Sequence, residues 1–189
     1  MNVSFEERVR NELMSYAKLY RQNFIDVEYF IYTSEFMFSK YYTIKAYKDN
    51  FLHLTGVSTS LTANEFFDNC LNETLTLEDF SVGNKQQKGT VRRKLSVFSN
   101  AMNLFLSGDI LVEEKFVKNN VRCSFASSDN CCTMGFASMI NSKPQTLLKG
   151  NQLENGKRVE VICKKENGIF TIINNQTHLS NEEIEQLFT

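Results

Sequence analysis

The stretch ILVEEKFVKNNVRCSFASSDNCCTMGFA, residues 110–137, holds three short runs that are rich in β-branched and aromatic residues. The runs cover residues 110–117, 121–126 and 131–137, and the last two flank the turn-forming tetrapeptide SSDN at 127–130. Such runs, separated by turn residues, predict antiparallel strands joined by hairpins. Residues 158–164 and 168–173 predict a second hairpin, which turns at 166–168.

Helical patterns dominate the chain before residue 110. Ser4 with Glu7, and Thr62 with Glu65, are spaced as capping boxes, and a third box at Ser180 opens a short terminal helix. Apolar residues at helical intervals predict helices over 4–22, 63–72 and 88–106, and residues 27–33 and 42–47 predict early strands. This order predicts an α+β fold, in which N-terminal helices pack on a mainly antiparallel sheet with core strands at 110–117, 121–126, 131–137 and 158–163.

The composition is that of one globular domain. The chain has 189 residues, of which 42% are hydrophobic and 23% charged, so we expect a single domain over 1–189, with 1–24 as a helical extension and 175–189 as a short C-terminal helix. The formal net charge of −1 disfavours a protein that coats nucleic acid non-specifically, but it allows an enzyme with one local basic site.

Several classes of site and location are disfavoured. The five cysteines show no C-x-x-C spacing, which argues against a zinc site or a disulfide framework, and we expect no metal and no cofactor. There is no long apolar run of the kind that spans a membrane, so we expect no membrane association. The N-terminal segment has no apolar signal region, which predicts a cytoplasmic protein.

His53 is the principal candidate for proton transfer. It lies in the apolar segment NFLHLTGV, residues 50–57, which predicts a buried central strand. Strand alternation places His53 and Thr55 on one face, where a desolvated imidazole suits a general acid or base. The alternative interpretation is a core histidine held by a buried hydrogen bond. The other histidine, His178, lies in a polar stretch typical of a solvated loop.

A sharp change in charge occurs near residue 85. Residues 50–84 contain acidic residues and neither lysine nor arginine. Residues 85–94 contain no acid and five basic residues, which are Lys85, Lys88, Arg92, Arg93 and Lys94. Lys88 and Arg92 are one helical turn apart, so both can point at one phosphate near the N-terminal end of the predicted helix. The alternative is a solvated face that pairs with the preceding acids.

Five segments of the chain resemble a family found in phages and mobile elements of low-GC bacteria. The segments are FLHLTGV (51–57), KGTVRRKL (88–95), CSFA (123–126), CTMGF (132–136) and LLKGN (147–151). Over residues 15–163 the chain is similar to the fourth of the phage-associated barnase–EndoU–colicin–RelE-like nuclease groups. The resemblance implies metal-independent RNA cleavage, in the cytosol of a bacterial host, on a small antiparallel sheet preceded by helices.

The leading hypothesis is a metal-independent endoribonuclease of toxin or phage-conflict type, in which the ribose 2′-OH attacks its own phosphate. The candidate catalytic residues, chosen on chemistry alone, are His53, Thr55, Arg92 and Arg93. The candidate RNA-binding residues are Lys85, Lys88, Lys94, Ser124, Thr133 and Lys149, the last of which lies in a segment, 143–151, that predicts a loop.

Two other functions are open on the sequence. The order His53-Leu54-Thr55 before a helix resembles the His-x-Thr strand-and-helix opening of ADP-ribosyltransferases, which bind NAD; Glu113, Glu114 or Glu160 would then assist transfer. The second alternative is a non-enzymatic phage accessory protein that binds a host protein or an antitoxin. The acidic residues between 65 and 79 and the near-neutral net charge favour such a protein partner.

Overall fold

The computed structural model describes residues 3–188. Residues 1, 2 and 189, which belong to the predicted domain and to its two terminal segments, lie outside the described residues. In the described part of the chain, helices precede and cover a set of antiparallel strands, which confirms the predicted α+β class. None of the helices in this part is long and apolar enough to cross a membrane.

The described residues form six α-helices and thirteen short strands. The helices are α1 (Phe5–Phe24), α2 (Asn50–Thr55), α3 (Ala63–Leu71), α4 (Lys85–Leu95), α5 (Phe98–Met102) and α6 (Asn181–Leu187), and a 3₁₀ helix covers Leu104–Leu106. The strands are β1 (Val27–Tyr32), β2 (Tyr42–Lys45), β3 (Ser58–Thr59), β4 (Phe80–Ser81), β5 (Leu111–Glu114), β6 (Val117–Lys118), β7 (Val121–Arg122), β8 (Phe125–Ser128), β9 (Cys132–Ala137), β10 (Lys143–Lys149), β11 (Lys157–Arg158), β12 (Val161–Glu166) and β13 (Ile169–Asn175).

Two main sheets replace the single sheet that the sequence predicts. One has the strand order β13-β12-β1-β2 and the other β10-β9-β8-β5-β11. They are joined where Ser142, just before β10, exchanges backbone hydrogen bonds with Thr43 and Lys45 beside it on β2. The ring of Tyr42 on β2 lies 4.4 Å, centroid to centroid, from that of Phe125 on β8. The two sheets therefore pack against each other through aromatic side chains.

The first helix is part of the main core. The predicted capping box of Ser4 and Glu7 is present, and the helix continues to Phe24, two residues beyond its predicted end. Its residues Leu13, Ala17 and Tyr20 are fully buried in the same apolar cluster as the strands. The helix is amphipathic, so burial of this one stripe fixes it against the rest of the fold.

Residues 50–55 are a helix, so the segment 50–57 is not the predicted strand. Phe51, Leu54 and Thr55 are fully buried, which is the i, i+3, i+4 spacing of a helical face. Gly56 ends α2 in the left-handed conformation with φ of 80°. His53 and Thr55 consequently lie on different faces, because His53 is exposed whereas Thr55 is buried. The predicted strand face that joined them does not exist.

The predicted helix over 88–106 is three shorter pieces. It begins earlier, at Lys85, because Asn84 caps it and forms a capping box with Gln87. It breaks at Ser96 and Val97, and α5 and the 3₁₀ helix follow. Val97 and Phe98, at this break, are both buried.

Residues 143–149 form β10 and not the predicted loop. This strand lies at the edge of its sheet and pairs with β9 along its length. Pro144 is tolerated because it precedes a shift of register at Gln145 and because an edge strand does not need every N–H. The helices α2 and α4 pack against β10. The end of β10 therefore comes close to α4, the helix that carries the basic residues of 85–94.

Glu114, on β5, binds the loop between β1 and β2. Its carboxylate accepts hydrogen bonds from the backbone N–H groups of Met37 and Phe38, at 2.8 and 3.1 Å, and from the hydroxyl of Tyr42 at 2.8 Å. We expect Glu114→Ala to lower the free energy of unfolding in urea by roughly 1–3 kcal/mol, because it leaves these three donors without their acceptor.

Glu78→Ala is the matched control for this measurement. Glu78 is exposed and forms no hydrogen bond in the described residues, so its removal should change stability by less than about 0.5 kcal/mol. Equal stability of the two variants would contradict the role given to Glu114.

Candidate functional site

A cleft of about 290 Å³ lies where α4, the end of β10 and the β6–β7 hairpin meet. We call it the α4–β10 cleft. Its lining residues are Thr90, Arg93, Lys94, Asn119, Leu147, Leu148, Lys149 and Gln152. Three of them are cationic, and none of these three forms an ion pair within residues 3–188. The cleft therefore offers unneutralised positive charge to a ligand.

Lys94 differs from the other cleft cations in its hydrogen bond and in its lowered pKa. Its Nζ donates a 2.6 Å hydrogen bond to the backbone carbonyl of His53 at the end of α2. Burial lowers the pKa of the Lys94 amine to about 8, because a desolvated site disfavours the charged form. An amine with such a pKa exchanges protons near neutral pH, as a general acid or base must.

The α2–α4 contact requires a glycine at position 56. A Cβ atom on Gly56 would lie 3.1 Å from Cδ of Lys94 and 3.6 Å from Cγ2 of Thr90, and its φ of 80° disfavours any residue with a side chain. The glycine that ends α2 thus also lets the aliphatic part of Lys94 lie against it.

Thr133 lies beneath the cleft and bonds to the turn after β10. Its side chain is fully buried, so it does not contact a ligand in this conformation. Its hydroxyl donates to the carbonyl of Gly150 at 2.8 Å and accepts from the N–H of Gln152 at 2.9 Å. These two bonds hold the turn that follows β10 and so fix the positions of Lys149 and Gln152.

The structure brings some of the predicted residues together. Arg93, Lys94 and Lys149 line the cleft, and His53 touches it through its backbone carbonyl. The imidazole of His53 is exposed and does not line the cleft. This arrangement differs from the prediction, which placed His53 on a buried strand.

Other predicted residues lie elsewhere. The hydroxyl of Thr55 donates to the carbonyl of Leu52, so it completes the end of α2. Ser124 lies between β7 and β8, where its backbone bonds to Phe136 and Lys115. Lys85 is exposed at the first position of α4 and does not line the cleft.

Lys88 and Arg92 face the first helix. Lys88 forms a 2.8 Å ion pair with Glu6, and it lies 5.7 Å from the centre of the Phe5 ring. The guanidinium of Arg92 lies 4.6 Å from the same ring. Arg92, Arg93 and Lys94 also lie in the last turn of α4, where cations favour the helix dipole. The predicted grip of Lys88 and Arg92 on one phosphate at the start of the helix is thus replaced by packing on α1.

Asn119 and Gln152 are cleft residues that the sequence interpretation missed. Asn119 stands with Asn120 between two short runs, β6 and β7, and both asparagines have positive φ angles of 51° and 64°. Asparagine tolerates this conformation in tight turns, so the pair was a usable hairpin signal. Nothing local in the sequence indicates that the hairpin reaches the basic helix.

The three glutamates considered for transfer from NAD hold backbone segments. Glu113 accepts from the N–H groups of Glu154 and Asn155, and Glu160 accepts from Ser34. Glu114 binds the loop described above. The strand that would open an ADP-ribosyltransferase-like site is instead α2, so the geometry that suggested this alternative is absent from the described residues.

Metal-ligating side chains do not converge in the part of the chain that the structure describes. Across residues 3–188, no group of three or more His, Cys, Asp or Glu side chains is placed so that it could hold a metal ion.

One comparison with known proteins returned a match. A family model described as "phage-Barnase-EndoU-ColicinE5/D-RelE like nuclease4" matches residues 12–188 of the chain. The matched range is nearly the whole chain and includes every residue of the cleft. No curated protein and no solved structure matches the chain.

The partly buried amine of Lys94 makes stability depend on pH. Its pKa is lowered from about 10.5 in the unfolded chain to about 8 in the folded one, so the unfolded state binds more protons between these values. The burial penalty is complete below pH 8 and is relieved as the pH rises above it. We expect the free energy of unfolding of the wild type to rise relative to that of Lys94→Met between pH 8 and pH 10.

Chemical denaturation of both proteins at several pH values measures this difference. Lys85→Met is the control, because Lys85 is exposed, and its difference from wild type should stay constant. A constant difference for Lys94→Met would show that its amine is solvated.

Proposed function

Because this chain belongs to the phage-Barnase-EndoU-ColicinE5/D-RelE like nuclease family, group 4, we propose that it cleaves RNA in the α4–β10 cleft without a metal ion. The observation that carries the proposal is the convergence of Arg93, Lys94 and Lys149 on one cleft. Cations without acidic partners suit a phosphodiester, whose charge increases as the reaction proceeds.

The proposed reaction is an internal transfer of the phosphodiester. The ribose 2′-oxygen attacks the adjacent phosphorus, and the bond from phosphorus to the 5′-oxygen breaks. The products are a 2′,3′-cyclic phosphate and a free 5′-hydroxyl. This chemistry needs one group to accept the 2′-OH proton, one to supply a proton to the 5′-oxygen, and positive charge near the phosphate oxygens.

The cleft contains groups suited to these roles. Lys94 accepts the 2′-OH proton, because about a tenth of an amine with a pKa near 8 is unprotonated at pH 7. Arg93 and Lys149 bind the phosphate oxygens. We assign the proton donor to His53, since its backbone carbonyl bonds to the Lys94 amine and its imidazole is exposed.

Replacement of the cleft amine tests the reaction. With a fluorescent single-stranded RNA in the presence of EDTA, we expect Lys94→Met to lower the cleavage rate by about 100-fold or more, because a general base contributes roughly that factor. Lys40→Met is the matched control, since Lys40 is exposed and far from the lining residues in the sequence. Circular dichroism must show that both variants are folded.

Three results would contradict the proposal. They are cleavage that stops in EDTA, equal cleavage by wild type and Lys94→Met, and cleavage that persists when the ribose at the scissile position is a 2′-deoxyribose. His53→Ala tests the proton donor separately, and full activity of that variant would remove His53 from the mechanism while the other roles remain.

The pH profile gives an independent test. Only the free amine of Lys94 accepts a proton, so in a His53→Ala background, which removes the proposed proton donor, the residual rate on limiting RNA should rise about tenfold per pH unit up to about pH 8 and then level off. The residual rate of Lys94→Met should lack this inflection. A profile that falls between pH 6 and pH 8 would assign the base to another group.

A further inference from the structure

We infer that the α4–β10 cleft also reads one unpaired RNA base, through the side-chain amides of Asn119 and Gln152, so that cleavage is selective for sequence and for single strands. This inference rests on the proposed function and adds residues that choose the cut position. The cleft has cations on α4 and at the end of β10, and amides on the β6–β7 hairpin and on the turn after β10.

Asn119 lies in a tight turn, and its side-chain amide makes no hydrogen bond within residues 3–188. The pairing of Val117 with Arg122 and of Lys118 with Val121 leaves Asn119 and Asn120 as a two-residue turn. Both have positive φ, which is the twist that closes such hairpins tightly. Asn119 lines the cleft, and its side chain makes no hydrogen bond within residues 3–188, so both its donor and its acceptor are available.

Gln152 faces the same space from the turn after β10. Its backbone N–H is bound to Thr133, and its side-chain Nε2 donates to the carbonyl of Lys149 at 3.0 Å. These bonds orient the amide and leave its Oε1 as an acceptor. A fixed donor and acceptor pair is the arrangement with which Asn and Gln recognise the edges of bases.

The remaining wall suits the flat face of a base. Leu148 is half-buried and lines the cleft, and the fully buried Leu147 lies beneath this wall. The volume of about 290 Å³ is close to the lower end of the range for small-ligand sites, which suits a single base. Only an unpaired base presents its pairing edge to protein amides.

The test compares two glycine variants of the same turn. Asn119→Gly removes the side-chain amide of a residue that lines the cleft, and Asn120→Gly removes that of its neighbour, which does not. Glycine tolerates both positive φ angles. Sequencing of cleavage ends from a random single-stranded RNA pool should show a preference at one position beside the cut for wild type and for Asn120→Gly.

We expect Asn119→Gly to lose most of that preference and to cleave the preferred sequence roughly tenfold to hundredfold more slowly, the discrimination of one bidentate contact. Gln152→Ala should reduce the preference at the same position. Annealing the preferred RNA to its complement should suppress cleavage by the wild type.

Failure of this inference is distinguishable from failure of the proposed function. Full cleavage by Asn119→Gly and Gln152→Ala with an unchanged preference, or equal cleavage of duplex, would overturn the base reading and leave the nuclease proposal intact. If the wild type cleaves no RNA, the inference is tested by measuring the affinity of the protein for four labelled pentanucleotides, each made of a single base. A preference that Asn119→Gly abolishes supports base reading, and equal binding of all four by the wild type overturns it.

Discussion

The packing of Phe51 is the contact on which the helical layer and the cleft depend. Its ring lies 5.4 Å from Tyr20 of α1, 5.3 Å from Phe67 of α3 and 5.6 Å from Phe98 of α5. A six-residue helix is too short to be stable by itself, so α2 exists because these aromatic rings surround one of its faces. Once α2 is fixed, its C-terminal end at Gly56 meets Lys94, and the basic helix is held beside β10.

The near-neutral net charge conceals an uneven distribution of charge. Much of the acid in the described residues is already engaged: Glu73 pairs with Lys18, Glu28 with Lys45, and Asp68 with Lys48. Other carboxylates accept backbone N–H groups, as Glu113 and Glu160 do. The cleft cations have no such partners, so the local field is positive although the formal net charge is −1. Membership of a nuclease family is therefore compatible with a net charge that is not basic.

The cleft also shows how buried polar residues can serve a site without touching a ligand. Thr133 was a candidate for contact with RNA, and its burial excludes that role in this conformation. Its hydroxyl instead bonds to Gly150, Gln152 and the hydroxyl of Ser128. Such a satisfied network holds a turn in one geometry, and here the turn carries two residues of the cleft wall, Lys149 and Gln152.

The sequence by itself determined the fold class, the capping boxes at Ser4, Thr62 and Ser180, and the strands near residues 27, 132 and 161, because these signals lie within a few neighbouring residues. It also singled out Arg93, Lys94 and Lys149 by their charge. Only the tertiary structure decided that residues 50–55 are a helix, since their short apolar run fits either a strand or a helix until the aromatic partners are known. The hydrogen bond from Lys94 to the His53 carbonyl joins residues that are 41 positions apart. The assembly of the cleft, including Asn119 and Gln152, depends on long-range packing that no local pattern encodes.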